Sequence, residues 1–142
     1  MNQERFAGGC QCGAVRFSAE GYVDASICHC RMCQKAFGAY YAPLATFETV
    51  TWTRGQPARF QSSNIAARGF CRDCGTPLTY EPKGGRVSLA IGALDEPGRA
   101  VPTTQFGIEG LVAGVRHLDE LSETPTTETG VESRQHPDHD AP

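Results

Sequence analysis

At 142 residues the chain fits a single domain of ordinary size, and a hydrophobic content of 39% supports a core, though not a large one. The formal net charge of −3 is unevenly spread: residues 122–142 carry Glu123, Glu128, Glu132, Asp138 and Asp140 against Arg134 alone, a balance of −4, which leaves +1 on the rest. A nearly neutral body disfavours nucleic acid as a partner, since dedicated binders are strongly basic. No run approaches the roughly 18 apolar residues of a membrane span. Residues 1–6 are polar and lack a basic stretch followed by an apolar one, which predicts retention in a reducing cytoplasm, with cysteines as thiolates or metal ligands.

Taken in chain order, residues 5–9 read as a short strand entering a glycine turn. Residues 14–19 alternate apolar and polar side chains, the pattern of a half-buried strand, and residues 23–28 form another strand candidate. Residues 30–37 lack Pro and Gly and predict a helical turn that Gly38 ends. Residues 40–47 and 50–53 are β-rich, and Arg54-Gly-Gln-Pro57 is a turn. Residues 58–62, 66–70, 77–80 and 87–91 continue the series of strands. After Leu94 the signal weakens: residues 95–99 form a turn, 104–108 a late strand, and 115–121 a short helix or irregular docking segment. From Ser122 the chain is rich in Thr, Glu and Pro and predicts a disordered acidic tail. The pattern gives a mainly β fold, small and stapled by zinc, of several short antiparallel strands. Residues 1–121 make up the domain and residues 122–142 the tail.

The seven cysteines fall into Cys10-x-Cys12, Cys28-x-Cys30-x-x-Cys33 and Cys71-x-x-Cys74. Paired as disulfides they leave one over. Split as four and three, they make a closed tetrathiolate zinc site and a three-thiolate site with an open position, two zinc ions per chain. In Cys71-Arg-Asp-Cys74-Gly75 the short gap lets a tight turn aim both sulfurs at one ion, and Gly75 can take positive φ. Cys10 and Cys12 stand i, i+2, too far apart in a regular strand for easy chelation; Gly8, Gly9 and Gly13 permit the bend that joins them. A dithiol redox pair at Cys71 and Cys74 is the competing reading, but the βαβ pattern it needs is missing.

Cys28, Cys30 and Cys33 lie within six residues, with no fourth ligand nearby. His29 sits between two ligating neighbours, so its ring should point away. His136-Pro-Asp-His139 could chelate weakly, with a solvated tail the simpler account. Three thiolates leave a zinc ion with net charge −1, which suits exchange of a further soft ligand better than activation of water. A thiol with an ordinary pKa of about 8.5 is only about 3% ionised at about pH 7, so metal binding raises its thiolate fraction roughly 30-fold. A second structural zinc with an unseen ligand remains the alternative, as do a non-catalytic binding module and a thiol or metal sensor.

Three segments, Gly8-Gly-Cys-Gln-Cys-Gly-Ala-Val-Arg-Phe17, Cys28-His-Cys-Arg-Met-Cys-Gln-Lys35 and Ser62-Ser-Asn-Ile-Ala-Ala-Arg-Gly-Phe-Cys-Arg-Asp-Cys-Gly-Thr-Pro-Leu78, resemble the glutathione-dependent formaldehyde-activating enzymes, a family that includes centromere protein V-like members. The likeness covers roughly residues 5–92. It implies a β-tent fold, a structural zinc on Cys10, Cys12, Cys71 and Cys74, and a catalytic zinc on Cys28, Cys30 and Cys33. It implies carbon–sulfur lyase chemistry, glutathione plus formaldehyde giving S-hydroxymethylglutathione, with glutathione as the small-molecule thiol partner. Such a substrate carries carboxylates, for which Arg68 is the candidate contact; Arg31 and Lys35 flank the three-cysteine cluster as surface charges. Phe37, Tyr40 and Tyr41 are candidates for pocket or core.

Overall fold

The computed structural model describes residues 4–126 and 129–138. His139, and with it the tail chelate considered from sequence, lies outside the described residues. The fold is mainly β: β1 (Phe6–Gly9), β2 (Arg16–Cys28), β3 (Ala42–Arg54), β4 (Ala58–Gln61), β5 (Ala66–Phe70), β6 (Pro77–Pro82), β7 (Val87–Ala90) and β8 (Thr104–Phe106), with one α-helix among the described residues, α1 (Arg31–Phe37). The sheet runs β1-β2-β3-β7-β6-β5-β4 with every neighbour antiparallel, while β8 pairs in parallel with β2.

Two pairs of separate strand candidates fuse. Residues 20–22 lie between the two candidates, yet β2 runs through them, with Gly21 at φ 68° and a register shift between Tyr22 and Asp24. The bulge works because Glu48 of the partner strand stands where a Cβ at Gly21 would sit. Pairing with β2 from Ala42 to Arg54 likewise carries β3 across the gap expected after Phe47. With β3 on one edge, β2 offers β1 its first turn of pairing, Arg16 to Ala19, and β8 its last, Ser26 to Cys28.

The alternating inward residues of these strands build the core. Phe6, Phe17, Phe47, Leu78 and Leu89 are fully buried, with Phe6 edge-on to Phe47 at 5.1 Å and stacked on Tyr22 at 5.5 Å. Arg16 forms a bidentate pair with Asp95 at 2.8 and 2.7 Å, tying β2 to the segment after β7. Residues 113–120 form 3-10 turns with a kink at His117, between the helix and the irregular segment that the sequence offers. The described residues beyond Ser122 carry neither helix nor strand, but the His136 N–H donates to Gln11 O at 2.8 Å.

Candidate metal centres

The β1–β2 and β5–β6 connections are built alike. In the first, Cys10 N–H bonds Val15 O at 3.0 Å and Gly13 N–H bonds Cys10 O at 3.1 Å. In the second, Cys71 N–H bonds Thr76 O at 3.0 Å and Gly75 N–H bonds Cys71 O at 2.8 Å. Each turn passes through a glycine in the left-handed region, Gly13 at φ 79° and Gly75 at φ 81°, where a side chain would strain the backbone. The Gln11 N–H donates to the Thr76 hydroxyl at 3.0 Å and joins the two turns.

This arrangement gathers the sulfurs of Cys10, Cys12, Cys71 and Cys74 within 4.8 Å of one another. Cys10 Sγ lies 3.6 Å from Cys12 Sγ, and Cys12 Sγ lies 3.8 Å from Cys71 Sγ. A tetrahedral zinc with bonds of about 2.3 Å to sulfur sets neighbouring sulfurs about 3.8 Å apart, so this donor set could hold the ion. Val15 N–H donates to Cys10 Sγ at 3.2 Å, and the Thr76 hydroxyl stands 3.1 Å from Cys74 Sγ. Burial pushes the Cys74 thiol up, but the Thr76 hydroxyl and the Thr76 and Cys12 backbone outweigh it and bring its pKa to about 6. Hydrogen bonds of this kind favour thiolate over thiol.

Cys28 ends β2, Cys30 caps α1 and Cys33 lies in its first turn; the three sulfurs lie within 4.8 Å of one another. Cys33 N–H donates to Cys30 Sγ at 3.4 Å, and Gly38, at φ 60°, closes the helix as the sequence predicts. Burial and the neighbouring Cys33 and Cys30 thiols push Cys28 up to about 12. Cys30 goes down despite its burial, because backbone N–H groups and the other two thiols stabilise its charge. Three thiolates crowded this closely repel, and a divalent cation is what would let all three ionise.

His29 is 1% exposed, and its ring turns away from the sulfurs, with Nε2 2.8 Å from Gln105 Oε1 on β8 and Tyr41 edge-on at 5.6 Å. The His29 backbone N–H donates to Phe106 O at 2.9 Å. Gln34 Nε2 donates to both His29 O and Gly110 O at 2.8 Å, so β8 and the turn after it hold the three-cysteine loop from behind. Arg31 bonds Gln34 Oε1 and steadies that clamp.

The three sulfurs share a cavity of about 410 Å³. Ser26, Thr46, Ser62, Ser63 and Ser88 contribute hydroxyl-bearing side chains to its lining; Met32, Leu44, Ile65 and Phe106 contribute apolar ones. Arg68 also lines it, but is only 3% exposed: Nε donates to Ser62 Oγ at 2.8 Å, Nη2 donates to Cys33 Sγ at 3.3 Å, and the guanidinium lies 5.0 Å from the Tyr80 ring centroid. Phe37 packs between the two core clusters, Tyr40 is exposed and Tyr41 meets His29; none of the three lines this cavity. Sequence reasoning missed Tyr80, Ile65 and Phe106, because strand register and the return of β8 bring them to the cavity.

The fold is shared with a crystal structure of a Rhodobacter sphaeroides protein, at 25% identity and a TM-score of 0.57, covering 70% of this chain and 98% of that one. The family model of the glutathione-dependent formaldehyde-activating enzyme matches residues 5–109, well over half of the chain and all seven cysteines. With that match, the chain belongs to the glutathione-dependent formaldehyde-activating enzyme family.

Proposed function

We propose that the protein is a zinc-dependent carbon–sulfur lyase that makes and breaks the adduct of a small thiol, glutathione as the first candidate, with formaldehyde. The observation that carries this reading is the three-sulfur cluster opening onto a cavity large enough for a small molecule. In the forward direction the thiol gives up its proton, a sulfur–carbon bond forms as the carbonyl π bond opens, and the oxygen takes up a proton in return; the reverse step restores thiol and aldehyde, with no net change of oxidation state.

Cys28, Cys30 and Cys33 are assigned to hold one zinc and Cys10, Cys12, Cys71 and Cys74 to hold a second, structural one. The zinc in the three-cysteine site supplies a Lewis-acidic position for one more soft ligand. The protein's own residues do the rest. Met32, Leu44, Ile65 and Phe106 give the cavity an apolar lining beside the three sulfurs. The hydroxyls of Ser26, Thr46, Ser62, Ser63 and Ser88 offer partners for the adduct's own hydroxyl, and Thr46 and Ser88 already hold each other at 2.9 Å. The catalytic unit is assigned to residues 1–121, and seven free cysteines suit a reducing, cytoplasmic setting.

The test is the rate of exchange between free and adduct-bound glutathione at equilibrium, which separates catalysis from the spontaneous reaction. Purified protein with two zinc ions should accelerate it, and Cys33→Ala should reduce the rate to background while retaining one zinc. Exchange at the native rate in Cys33→Ala, with its second zinc gone, would sink the assignment.

A further inference from the structure

We infer that Arg68 is the fixed counter-charge of the Cys28/Cys30/Cys33 cluster, a positioning residue that holds Cys33 and balances its charge, rather than a contact for the substrate's carboxylates. This rests on the reading that those three sulfurs hold a divalent metal. A buried guanidinium is costly unless it is paired, and arginine does not escape the cost by losing its proton. Arg68 is 3% exposed, yet among the described residues no carboxylate stands within ion-pair distance of it.

Its partners can be accounted for one by one. Nε bonds a neutral hydroxyl, Ser62 Oγ. The flat face lies over the Tyr80 ring, whose quadrupole attracts a cation but carries no net charge. Nη1 is buried without a partner. Only Cys33 Sγ, 3.3 Å from Nη2, can carry a full negative charge. A neutral thiol is a weak acceptor, whereas a thiolate makes a charge-assisted bond. Three thiolates around a divalent ion sum to −1, and Arg68 brings the assembly to neutrality.

The same burial argues against a substrate contact. Nε and Nη2 are engaged, and Nη1 is sheltered from solvent, so a carboxylate entering the cavity would have to displace Ser62 or reach a buried nitrogen. The support is rigid as well: Arg68 and Tyr80 are direct partners in the β5–β6 ladder. A charge fixed on paired strands is set before any ligand arrives. A neutral assembly also accepts an incoming thiolate more readily than one already carrying −1.

The experiment uses the full-length zinc protein without any thiol substrate, so it reads out even if no adduct is turned over. Arg68→Met removes the charge and keeps the length; Arg68→Lys restores the charge. Zinc transfer to a chromogenic chelator is timed, and alkylation of each cysteine is followed by mass spectrometry. Arg68→Met should release one of the two zinc ions about tenfold faster or more and expose Cys33 to alkylation, with Cys10, Cys12, Cys71 and Cys74 unaffected. Arg68→Lys should fall between Met and native. Native release from Arg68→Met, or equal acceleration at both sites, overturns the inference. So does native zinc release accompanied, in a separate exchange assay with glutathione, by a raised KM, which would make Arg68 a carboxylate contact. Should Arg68→Met fail to fold, Ser62→Ala decides: freeing Nε should speed the same selective release, and native release overturns the inference.

Discussion

Gln11 and Thr76 are 65 positions apart, yet the Gln11 N–H reaches the Thr76 hydroxyl at 3.0 Å. That hydroxyl also stands 3.1 Å from Cys74 Sγ, so one oxygen accepts from the first cysteine turn and can donate to a sulfur of the second. Thr76→Val keeps the shape and removes both bonds. Each such bond contributes about 1 kcal/mol net, so the melting temperature should fall by several degrees, with faster zinc loss from the four-cysteine site. Calorimetry alongside zinc release checks this; an unchanged melt would show that the hydroxyl is replaced by water at no cost.

The two clusters should answer differently to loss of a ligand. A zinc shared by Cys10 and Cys71 would close a loop of about 60 residues, whose closure costs several kcal/mol, and zinc binding of roughly 10–16 kcal/mol in small peptides would more than offset it. Cys28, Cys30 and Cys33 are local in sequence and tie nothing distant together. Cys71→Ser should therefore leave a protein that is largely unfolded or melts far below native. Cys28→Ser should keep most of the native melting temperature and lose one zinc. Thermal melts paired with metal analysis separate the cases, and equal destabilisation by both variants would contradict the division of labour.

Gly107 offers a probe of the three-cysteine loop that touches no sulfur. It sits at φ 62°, and a Cβ there would stand 2.7 Å from the Cys30 backbone nitrogen. Neither the left-handed backbone nor the contact tolerates alanine, so Gly107→Ala should push β8 and the Cys30 turn apart. The expected result is loss of zinc from this cluster and at least a tenfold drop in exchange rate, with the four-cysteine site intact. Two zinc ions and native exchange in Gly107→Ala would show that the loop holds its shape without β8.

What was legible in the sequence was local. Gly13 and Gly75 announce the two turns because positive φ needs glycine, and Cys30 to Gly38 shows both ends of its helix. His29 could be turned away from the three sulfurs on spacing alone, since both its neighbours point toward one another. The cavity was not legible, because its wall is made by pairing between distant segments. Ser88 comes opposite Thr46 through β3–β7 register, Tyr80 opposite Arg68 through β5–β6, and Phe106 opposite Cys28 through a parallel strand that recrosses the sheet. Register depends on which faces are buried together, a property of the assembled sheet rather than of any one strand. The same reason hid the continuity of β2: residues 20–22 join its two halves only when Gly21 packs against Glu48 of β3.

Ile65 stands at the cavity with 57% of its surface exposed, between Ser63 and the start of β5. So exposed a side chain contributes little to folding, and its substitution should change stability by no more than about 0.5 kcal/mol. An aspartate in its place adds a second carboxylate to a cavity that Asp24 already lines and makes an apolar part of the lining polar. Ile65→Asp should therefore keep both zinc ions and the native melt while raising KM for an anionic thiol adduct several-fold; the effect should shrink as salt screens the charge over a Debye length of about 8–10 Å at ordinary ionic strength. Ile65→Leu, which keeps the apolar surface, should be close to native. Steady-state exchange rates at low and high salt make the comparison, and a native KM in Ile65→Asp would mean that the substrate enters by another side of the cavity.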